Sequence, residues 1–303
     1  MSEPVCKVEA LTVGELPCWR LVSRHGEALV ARQGAQVLRY TPHGRQPVVW
    51  LSDHAEFRRG KSLRGGVPVC WPWFGQLERN PGAVRAMVAD GNAPPAHGFA
   101  REWDWREAES GTRGDAARLL LELDLPQGAP AWPHAARLTL EIVLDDALTL
   151  TLSTRNLGAE PLVISQALHT YFAVSDVRKV AVEGLDGAAY VDTLRGWNTF
   201  AQHGTLAIDA ETDRIYTGIA QPIAIADPGW RRTLHIEAHA SRSAVVWNPW
   251  VDKSLRLSQF APDAWQDMIC IETARVWDDL LEVAPGTTAA MAVTLRAEHW
   301  AEG

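Results

Sequence analysis

Apolar and polar residues alternate along two neighbouring segments, residues 138–142 (LTLEI) and 148–153 (LTLTLS). Successive side chains of a β-strand point to opposite faces of a sheet, so this period of two predicts two strands with one buried face each. The residues between them, Asp145, Asp146 and Ala147, favour a turn, and we therefore expect a β-hairpin.

The same alternation recurs in residues 118–125 and in residues 291–296, which follow a Pro-Gly turn at 285–286. Long amphipathic helical segments are scarce. Many short strands without intervening helices favour an all-β fold, a large sandwich of mostly antiparallel strands. No linker, charge block or low-complexity segment divides the chain, so we expect residues 1–303 to form a single domain. Residues 80–95, rich in Gly, Pro and Ala, are expected to form a long surface loop.

The composition excludes several classes of protein. With 47% apolar and 22% charged residues the chain is not a disordered protein, and it contains no run of 18 apolar residues that could span a membrane. The net charge of −8 argues against general binding of nucleic acid. The four cysteines include no C-x-x-C pair and no secretory signal is recognisable, so we expect a cytoplasmic protein with reduced thiols.

Tryptophan is unusually frequent, with 14 Trp against 4 Tyr and 6 Phe. Most of these side chains are expected to pack in the core, because a Trp ring buries a large apolar area. Some can instead line a sugar site, where the flat indole covers the C–H face of a pyranose. Composition alone does not separate these two roles.

Two segments combine glycine with arginine. In RGGVPVCWPWFG (residues 64–75), two glycines allow close backbone approach and two prolines stiffen the residues after them. Arg64 can therefore be aimed into a cleft, or it can face solvent beside a structural turn. In HGFAR (97–101), His97 and Arg101 can reach one ligand, although a lone histidine is more often a satisfied structural residue.

Two further segments place a polar group within an apolar strand. In LHTYF (168–172), His169 and Tyr171 share one face of the strand. In MICIE (268–272), Glu272 ends an apolar run, so we expect it to be partly buried. Burial raises the pKa of a carboxyl group, which suits a base that works near neutral pH.

Six strings of the chain, taken in order, resemble the glucose-6-phosphate 1-epimerases, also called hexose-6-phosphate mutarotases, of the aldose 1-epimerase superfamily. The strings are RGGVPVCWPWFG, HGFAR, LHTYF, ETDRIY (211–216), VVWNPW (245–250) and MICIE. HTYF and a C-terminal Glu occur across the superfamily, whereas RGG-P, HG-AR and WNPW are typical of the branch that acts on phosphorylated sugars. The resemblance implies a galactose-mutarotase-like β-supersandwich with a sugar cleft on one sheet.

The resemblance also implies an isomerase that interconverts α and β anomers of hexose 6-phosphates at C1 by general acid/base ring opening, with no cofactor and no metal. The family pattern places the acid on His169 and the base on Glu272, and we expect them to face each other across a cavity one pyranose wide. Arginine suits the phosphate because its planar fork makes bidentate contacts with phosphate oxygens. By the same pattern, the substrate-binding residues are Arg64, Ala96, His97, Arg101 and Asp213.

Aromatic residues near these motifs are expected to form the wall of the cleft, namely Trp73, Phe74 and Trp247. Related sequences often carry Gln where this chain has Ala96, so one hydrogen bond of the family is absent here or replaced by backbone. Asp213 is expected to accept a hydrogen bond from a sugar hydroxyl. Alternatively, Asp213 has a structural role in an ion pair with Arg214 or Arg231.

Two alternatives to a hexose-6-phosphate 1-epimerase remain from the sequence, a mutarotase of free aldoses and a non-catalytic carbohydrate-binding β-sandwich. A glycoside hydrolase needs two carboxyl groups flanking the scissile bond, whereas these motifs supply one carboxyl and one imidazole. We expect the partner to be a small sugar phosphate, and the protein to be a monomer that binds neither nucleic acid nor membrane.

Overall fold

Strands dominate the chain, and the pairings between them are antiparallel, as the alternating pattern predicts. The computed structural model describes residues 6–89 and 94–301. Within these ranges the strands in chain order are β1 (Lys7–Val13), β2 (Leu16–Val22), β3 (Gly26–Ala31), β4 (Val37–Pro42), β5 (Val69–Cys70), β6 (Arg106–Arg113), β7 (Ala116–Leu125), β8 (Ala136–Leu144), β9 (Leu148–Asn156), β10 (Leu162–Ile164), β11 (Gln166–Leu168), β12 (Tyr171–Ala173), β13 (Ala181–Glu183), β14 (Ala189–Asp192), β15 (Asn198–Ala201), β16 (Leu206–Ala207), β17 (Thr212–Thr217), β18 (Ile223–Asp227), β19 (Arg232–His239), β20 (Ser243–Asn248), β21 (Met268–Arg275), β22 (Leu281–Val283) and β23 (Thr288–His299).

Helices in the described residues are short. The α-helices are α1 (Gly82–Arg85) and α2 (Trp250–Ser254), and the 3-10 turns are Leu77–Arg79, Ala100–Glu102, Pro228–Trp230, Ala264–Gln266 and Trp277–Asp279. No helix in these ranges is long and apolar enough to cross a membrane.

Two large sheets form the body of the fold. The first runs β16-β13-β18-β19-β23-β9-β8-β7-β6, and the second runs β15-β14-β17-β20-β21-β11-β5 with β12 also paired to β21. A four-stranded sheet, β1-β2-β3-β4, reaches the second large sheet through Val49, which bridges both Tyr40 of β4 and Phe172 of β12. β10 and β22 make a separate pair. This all-β architecture confirms the predicted fold class.

The predicted hairpin is present, with residues 145–147 as its turn between β8 and β9. Along β8 buried and half-buried residues alternate, so that Leu140 and Ile142 point inward. Val246 and Ile271, from the second large sheet, belong to the same hydrophobic core. The main core therefore lies between the two large sheets.

The second large sheet is covered on its outer face as well. Val246 and Ile271 pack in the main core, while their neighbours Val245 and Ile215 pack in a smaller apolar cluster on the opposite face. This explains why β21 (MICIETAR) is buried along nearly its whole length instead of alternating. A residue pointing to the outer face of β21 is therefore shielded from solvent.

The expectation of an unbroken loop over residues 80–95 is wrong for its first part. The short helix α1 lies there, and Val84 within it is buried against the main core. Residues 90–93 of that segment lie outside the described residues. An apolar side chain at Val84 gives this turn a core contact, which explains why it is ordered as a helix.

The inner and outer faces of β8 should respond differently to truncation. Ile142→Ala is expected to lower the free energy of unfolding by about 2–5 kcal/mol, because it leaves a cavity in the main core. Val143→Ala, the adjacent outward residue, should cost about 1 kcal/mol or less. Urea denaturation of both variants measures the difference, and equal losses would contradict the inward placement of Ile142.

Candidate active site

Two short strands pair with β21 in a single register and place a histidine opposite a glutamate. β12 aligns Tyr171 with Cys270, and β11 pairs with β21 in the same register on the other side of a short break. His169 lies in that break, so the continued register sets it opposite Glu272. Side chains that are directly opposite on one face of a sheet are close enough to touch.

The imidazole and the carboxyl group are in direct contact. His169 Nε2 lies 3.3 Å from Glu272 Oε1, and the two side chains are 13% and 2% exposed. The expected separation of one pyranose width is wrong, because cross-strand neighbours stand only roughly 5 Å apart at Cβ. Both side chains nevertheless line one cavity, as expected. The other polar atoms of the pair, His169 Nδ1 and Glu272 Oε2, have no hydrogen-bond partner in the described residues.

Aromatic rings hold the imidazole of His169 in place. It stacks on the ring of Tyr171 with 4.9 Å between centroids and 9° between planes. Trp247 meets both rings edge-on, at 6.5 Å from His169 and 6.1 Å from Tyr171. Parallel stacking and an edge contact together restrict rotation of the imidazole.

Burial shifts the pKa values of the pair in opposite directions. The pKa of Glu272 is raised well above its usual value, chiefly by desolvation and also by the negative charge of Asp213. The pKa of His169 is lowered well below its usual value, chiefly by desolvation and also by His97 and Arg101. Both shifts disfavour charge, so burial favours a neutral pair that holds one exchangeable proton.

A cavity of about 430 Å³ opens over this pair. Its lining includes most of the residues that the sequence motifs single out, namely Arg64, Phe74, Ala96, His97, His169, Asp213, Trp247 and Glu272. This volume is within the range of small-molecule sites.

A second cavity of about 270 Å³ adjoins the first and contains both motif arginines. Arg64 and Arg101 line it together, and the two cavities share Arg64, His97, His169 and Tyr171 in their walls. Positive charge is therefore concentrated directly beside the His169–Glu272 pair.

The arginines of the second cavity keep unused donors. Among the described residues, Arg64 donates only at long range, 3.4 Å from Nε to the Ser258 carbonyl and 3.4 Å from Nη1 to Tyr171 Oη. Arg101 Nη2 donates to the Ala96 carbonyl at 2.8 Å, and its buried Nε has no partner in the described ranges. A guanidinium has five N–H donors, so both can bind an anion without breaking an ion pair.

Two glycines explain the local backbone of the RGG and HG motifs. Gly66 has a φ of +69°, and a Cβ there would lie 2.4 Å from the Val37 carbonyl oxygen. Gly98 has the same φ, and its Cβ would lie 2.0 Å from the Trp71 carbonyl oxygen. No other residue fits such close approach in this conformation, so these glycines position Arg64 and His97 beside the cavities.

His97 is a neutral imidazole whose protonation is set by its neighbours. The backbone N–H of Gly75 donates to His97 Nδ1 at 3.2 Å, so the proton of the neutral ring is on Nε2. Burial, together with the charges of Arg101 and Arg64, lowers the pKa of His97 to about 3. His97 therefore offers the cavity an N–H donor at neutral pH.

Asp213 does not take the structural role that its sequence neighbours suggest. Arg214 lies against Asp192 instead, and Arg231 donates to the Ala301 carbonyl. Asp213 lines the first cavity, with Lys253 Nζ 4.0 Å from its Oδ2.

Trp73 is not in the wall of either cavity. It is fully buried, its Nε1 donates to the Pro95 carbonyl, and its ring packs edge-on against Phe99. The lining also contains residues that sequence reasoning did not single out as site residues, including Tyr171, Lys253 and Trp197. Tyr171 could have been identified from the sequence, because it shares one strand face with His169. Lys253 and Trp197 lie outside the recognised motifs, so nothing in the sequence marked them.

The described part of the chain contains no set of side chains suited to bind a metal ion. No three His, Cys, Asp or Glu side chains there are grouped so that they could hold a metal ion. All four cysteines are free thiols.

Comparison with known proteins places the chain in a family. The model of the aldose 1-epimerase family matches residues 17–296. A protein of Escherichia coli (strain K12) described as a "putative glucose-6-phosphate 1-epimerase" is 31% identical over 250 residues, which cover 82% of this chain and 79% of that protein. A protein of Haemophilus influenzae with the same description is 30% identical, over 77% of this chain and 75% of its own.

A solved structure agrees with these sequence relatives. The crystal structure of a "putative mutarotase" from Salmonella typhimurium superposes with a TM-score of 0.85 and 26% identity, covering 97% of this chain and 94% of that one. The chain belongs to the aldose 1-epimerase family, which confirms the resemblance seen in its motifs. It is an epimerase, and so an isomerase. The two sequence relatives named above, which it matches over most of their length, are both described as a "putative glucose-6-phosphate 1-epimerase".

Removal of the buried carboxyl should stabilise the fold in a pH-dependent way. Below about pH 4.5 the carboxyl of Glu272 is protonated in both states, so Glu272→Gln changes little. As the pH rises the unfolded chain ionises first, because the folded pKa is raised. The wild type should then lose up to about 1.4 kcal/mol per pH unit relative to the variant, until the folded pKa is reached.

Denaturant unfolding of both proteins between pH 5 and pH 7, a range that lies above the ordinary carboxyl pKa of 4.5, measures this difference. The exposed Glu282→Gln is the matched control and should show no such trend. A Glu272→Gln variant whose advantage stays constant with pH would show that the carboxyl is not desolvated.

Proposed function

We propose that the protein interconverts the α and β anomers of hexose 6-phosphates. One observation carries the proposal, namely that the cavity over the His169–Glu272 pair adjoins a second cavity containing Arg64 and Arg101. The first supplies proton donors and acceptors for a sugar ring, and the second supplies charge for a phosphate. The relatives described as "putative glucose-6-phosphate 1-epimerase" support the same substrate class.

Ring opening exchanges protons at two oxygens bonded to one carbon. The C1 hydroxyl gives up its proton, O5 accepts one, and the C1–O5 bond breaks to leave an aldehyde. Rotation about C1–C2 and reclosure on the other face give the other anomer. Because O1 and O5 are both bonded to C1, two proton-transfer groups in contact, like His169 and Glu272, suit them better than two widely separated groups.

The proton count of the pair stays constant through ring opening. In our assignment, His169 gives a proton to O5 while Glu272 takes one from O1, and the roles reverse on closure. At rest, burial favours a neutral imidazole beside a protonated carboxyl. Transfer of that single proton across the 3.3 Å contact produces the imidazolium and carboxylate that the assignment requires.

The phosphate position is consistent with the position of the pair. C6 is attached to C5, which is next to O5, so a phosphate on C6 lies on the O5 side of the ring. His169, which we assign to O5, lines the second cavity together with Arg64 and Arg101, whereas Glu272 does not. Arginine forks bind phosphate oxygens in pairs, and they outweigh a net charge of −8 that is spread over the chain.

Some sequence-based expectations remain predictions. They are the single domain over residues 1–303, the monomeric state, and the cytoplasmic location with no nucleic-acid or membrane partner. The free thiols support a reducing compartment.

Substitution of either member of the pair should remove most of the activity. His169→Asn and Glu272→Gln are each expected to lower the rate of anomer exchange on glucose 6-phosphate by about 10²- to 10⁴-fold, the typical contribution of one positioned acid or base. Exchange NMR on the anomeric signals measures the rate, with the uncatalysed rate subtracted.

A surface pair of the same kind provides the control. His235 Nε2 lies 2.9 Å from Glu298 Oε2, outside both cavities, so His235→Asn should leave the rate unchanged. If His169→Asn or Glu272→Gln exchanges anomers at the wild-type rate, the role assigned to that residue is wrong.

Arg64→Ala should affect only phosphorylated substrates. We expect kcat/KM for glucose 6-phosphate to fall roughly 10- to 100-fold, because hydrogen bonds to a charged group are lost, with little change for free glucose. Arg58→Ala, an exposed arginine near Glu56, is the matched control and should have little effect. An equal loss on both sugars would favour a mutarotase of free aldoses.

A further inference from the structure

A lysine outside the sequence motifs, Lys253, lines the first cavity. Lys253, on α2, has its Nζ 3.0 Å from Glu211 Oε1 and 4.0 Å from Asp213 Oδ2. The first contact is a hydrogen-bonded ion pair, whereas the second is too long for a direct hydrogen bond. An ammonium carries three donors, so Lys253 keeps donors for a ligand in the cavity that it lines.

The gap between Lys253 and Asp213 suits a sugar hydroxyl. A hydroxyl both donates and accepts, so one hydroxyl can accept from the ammonium of Lys253 while donating to the carboxylate of Asp213. Both contacts involve a charged group and are therefore stronger than bonds between neutral groups. Trp247 lies beneath, with the ammonium 5.7 Å from its ring centre.

Hydrogen bonds at the start of α2 fix the position of the helix that carries Lys253. The side chain of Asn248, just before α2, donates to the carbonyls of Trp265 and Met268 at 2.9 Å each. It also accepts from the backbone N–H of Trp250 at 2.9 Å. Asn248 is fully buried, so it anchors the start of α2 and with it the position of Lys253.

The order of groups across the sheet bears on which hydroxyl this is. β17 carries Asp213 and pairs with β20, which pairs with β21, which carries Glu272 and pairs with the segment around His169. The second cavity has Arg64, Arg101 and His169 in its wall but not Glu272, Asp213 or Lys253. Across the strands, Asp213 therefore lies on the opposite side of Glu272 from His169, and its register sets it level with Trp247, two residues along from the row of Glu272.

The atoms of a hexose 6-phosphate run in the same order, from the phosphate on C6 through C5 and O5 to C1 and then C2. With the phosphate at the arginines and C1 at the His169–Glu272 pair, the next carbon toward Asp213 is C2. We propose that Lys253 and Asp213 clamp the C2 hydroxyl, so that Lys253 makes the enzyme favour glucose and galactose 6-phosphates over mannose 6-phosphate. This assignment rests on the proposed function.

The experiment compares Lys253→Met with the wild type on substrates that differ only at C2 or C4. Anomer exchange is measured by NMR for the 6-phosphates of glucose, galactose, mannose and 2-deoxyglucose. In the wild type, kcat/KM for glucose 6-phosphate should exceed that for 2-deoxyglucose 6-phosphate at least roughly tenfold.

Lys253→Met should lose roughly 10- to 100-fold on glucose and galactose 6-phosphates, which share the C2 configuration, and less than about threefold on the 2-deoxy sugar. Lys179→Met is the matched control: this lysine is also paired with a carboxylate, Asp176 at 3.5 Å, but it lies outside both cavities. It should not change the rate on any of the four sugars.

Equal losses on glucose and 2-deoxyglucose 6-phosphates would give Lys253 a structural role and overturn the proposal. In the wild type, a ratio near one between the kcat/KM values for those two sugars would overturn the proposal by itself, even if Lys253→Met failed to fold. Absence of wild-type exchange on all four sugars would reject the proposed function itself, and the clamp with it. Exchange without C2 dependence rejects the clamp alone.

Discussion

The contact between His169 and Glu272 is the constraint on which the site depends. It is made by a register that β11 and β12 share along β21, so a one-residue slip in that pairing would send one of the two side chains to the other face of the sheet. The apolar cover on the outer face of this sheet then desolvates the pair and moves both pKa values toward the neutral forms. Register and burial together produce two groups that share one proton.

Charge in the site is arranged at the two ends of this neutral centre. Arg64 and Arg101 lie on one side with unused donors, and Lys253 with Asp213 lies on the other. The proposed substrate, with one anionic end and several hydroxyls, matches that arrangement. The polarity of the cavity, more than its volume, therefore defines the proposed substrate class.

Much of the fold and of the site could be predicted from the sequence. The period of two in β8 and β9 is a local property of a half-buried strand, so the hairpin was recognisable without neighbours. β21 shows no such alternation because both of its faces are covered, and only assembled sheets decide that. Trp73 illustrates the same limit. Its sequence neighbour Phe74 lines the cavity, whereas Trp73 is a core residue whose indole N–H donates to a backbone carbonyl.

The sequence by itself determined the chemical groups and the strands that carry them, through the order of the RGG, HG, HTYF and MICIE motifs. It also supplied glycine at positions 66 and 98, where the backbone passes too close to a carbonyl for any side chain. Only the tertiary structure decided that His169 and Glu272 touch, that both arginines line a second, adjoining cavity, and that Lys253 joins the site from α2. The reason is physical. Propensity and alternation act between residues near in the chain, whereas contact across strands depends on register and on burial from both faces of a sheet.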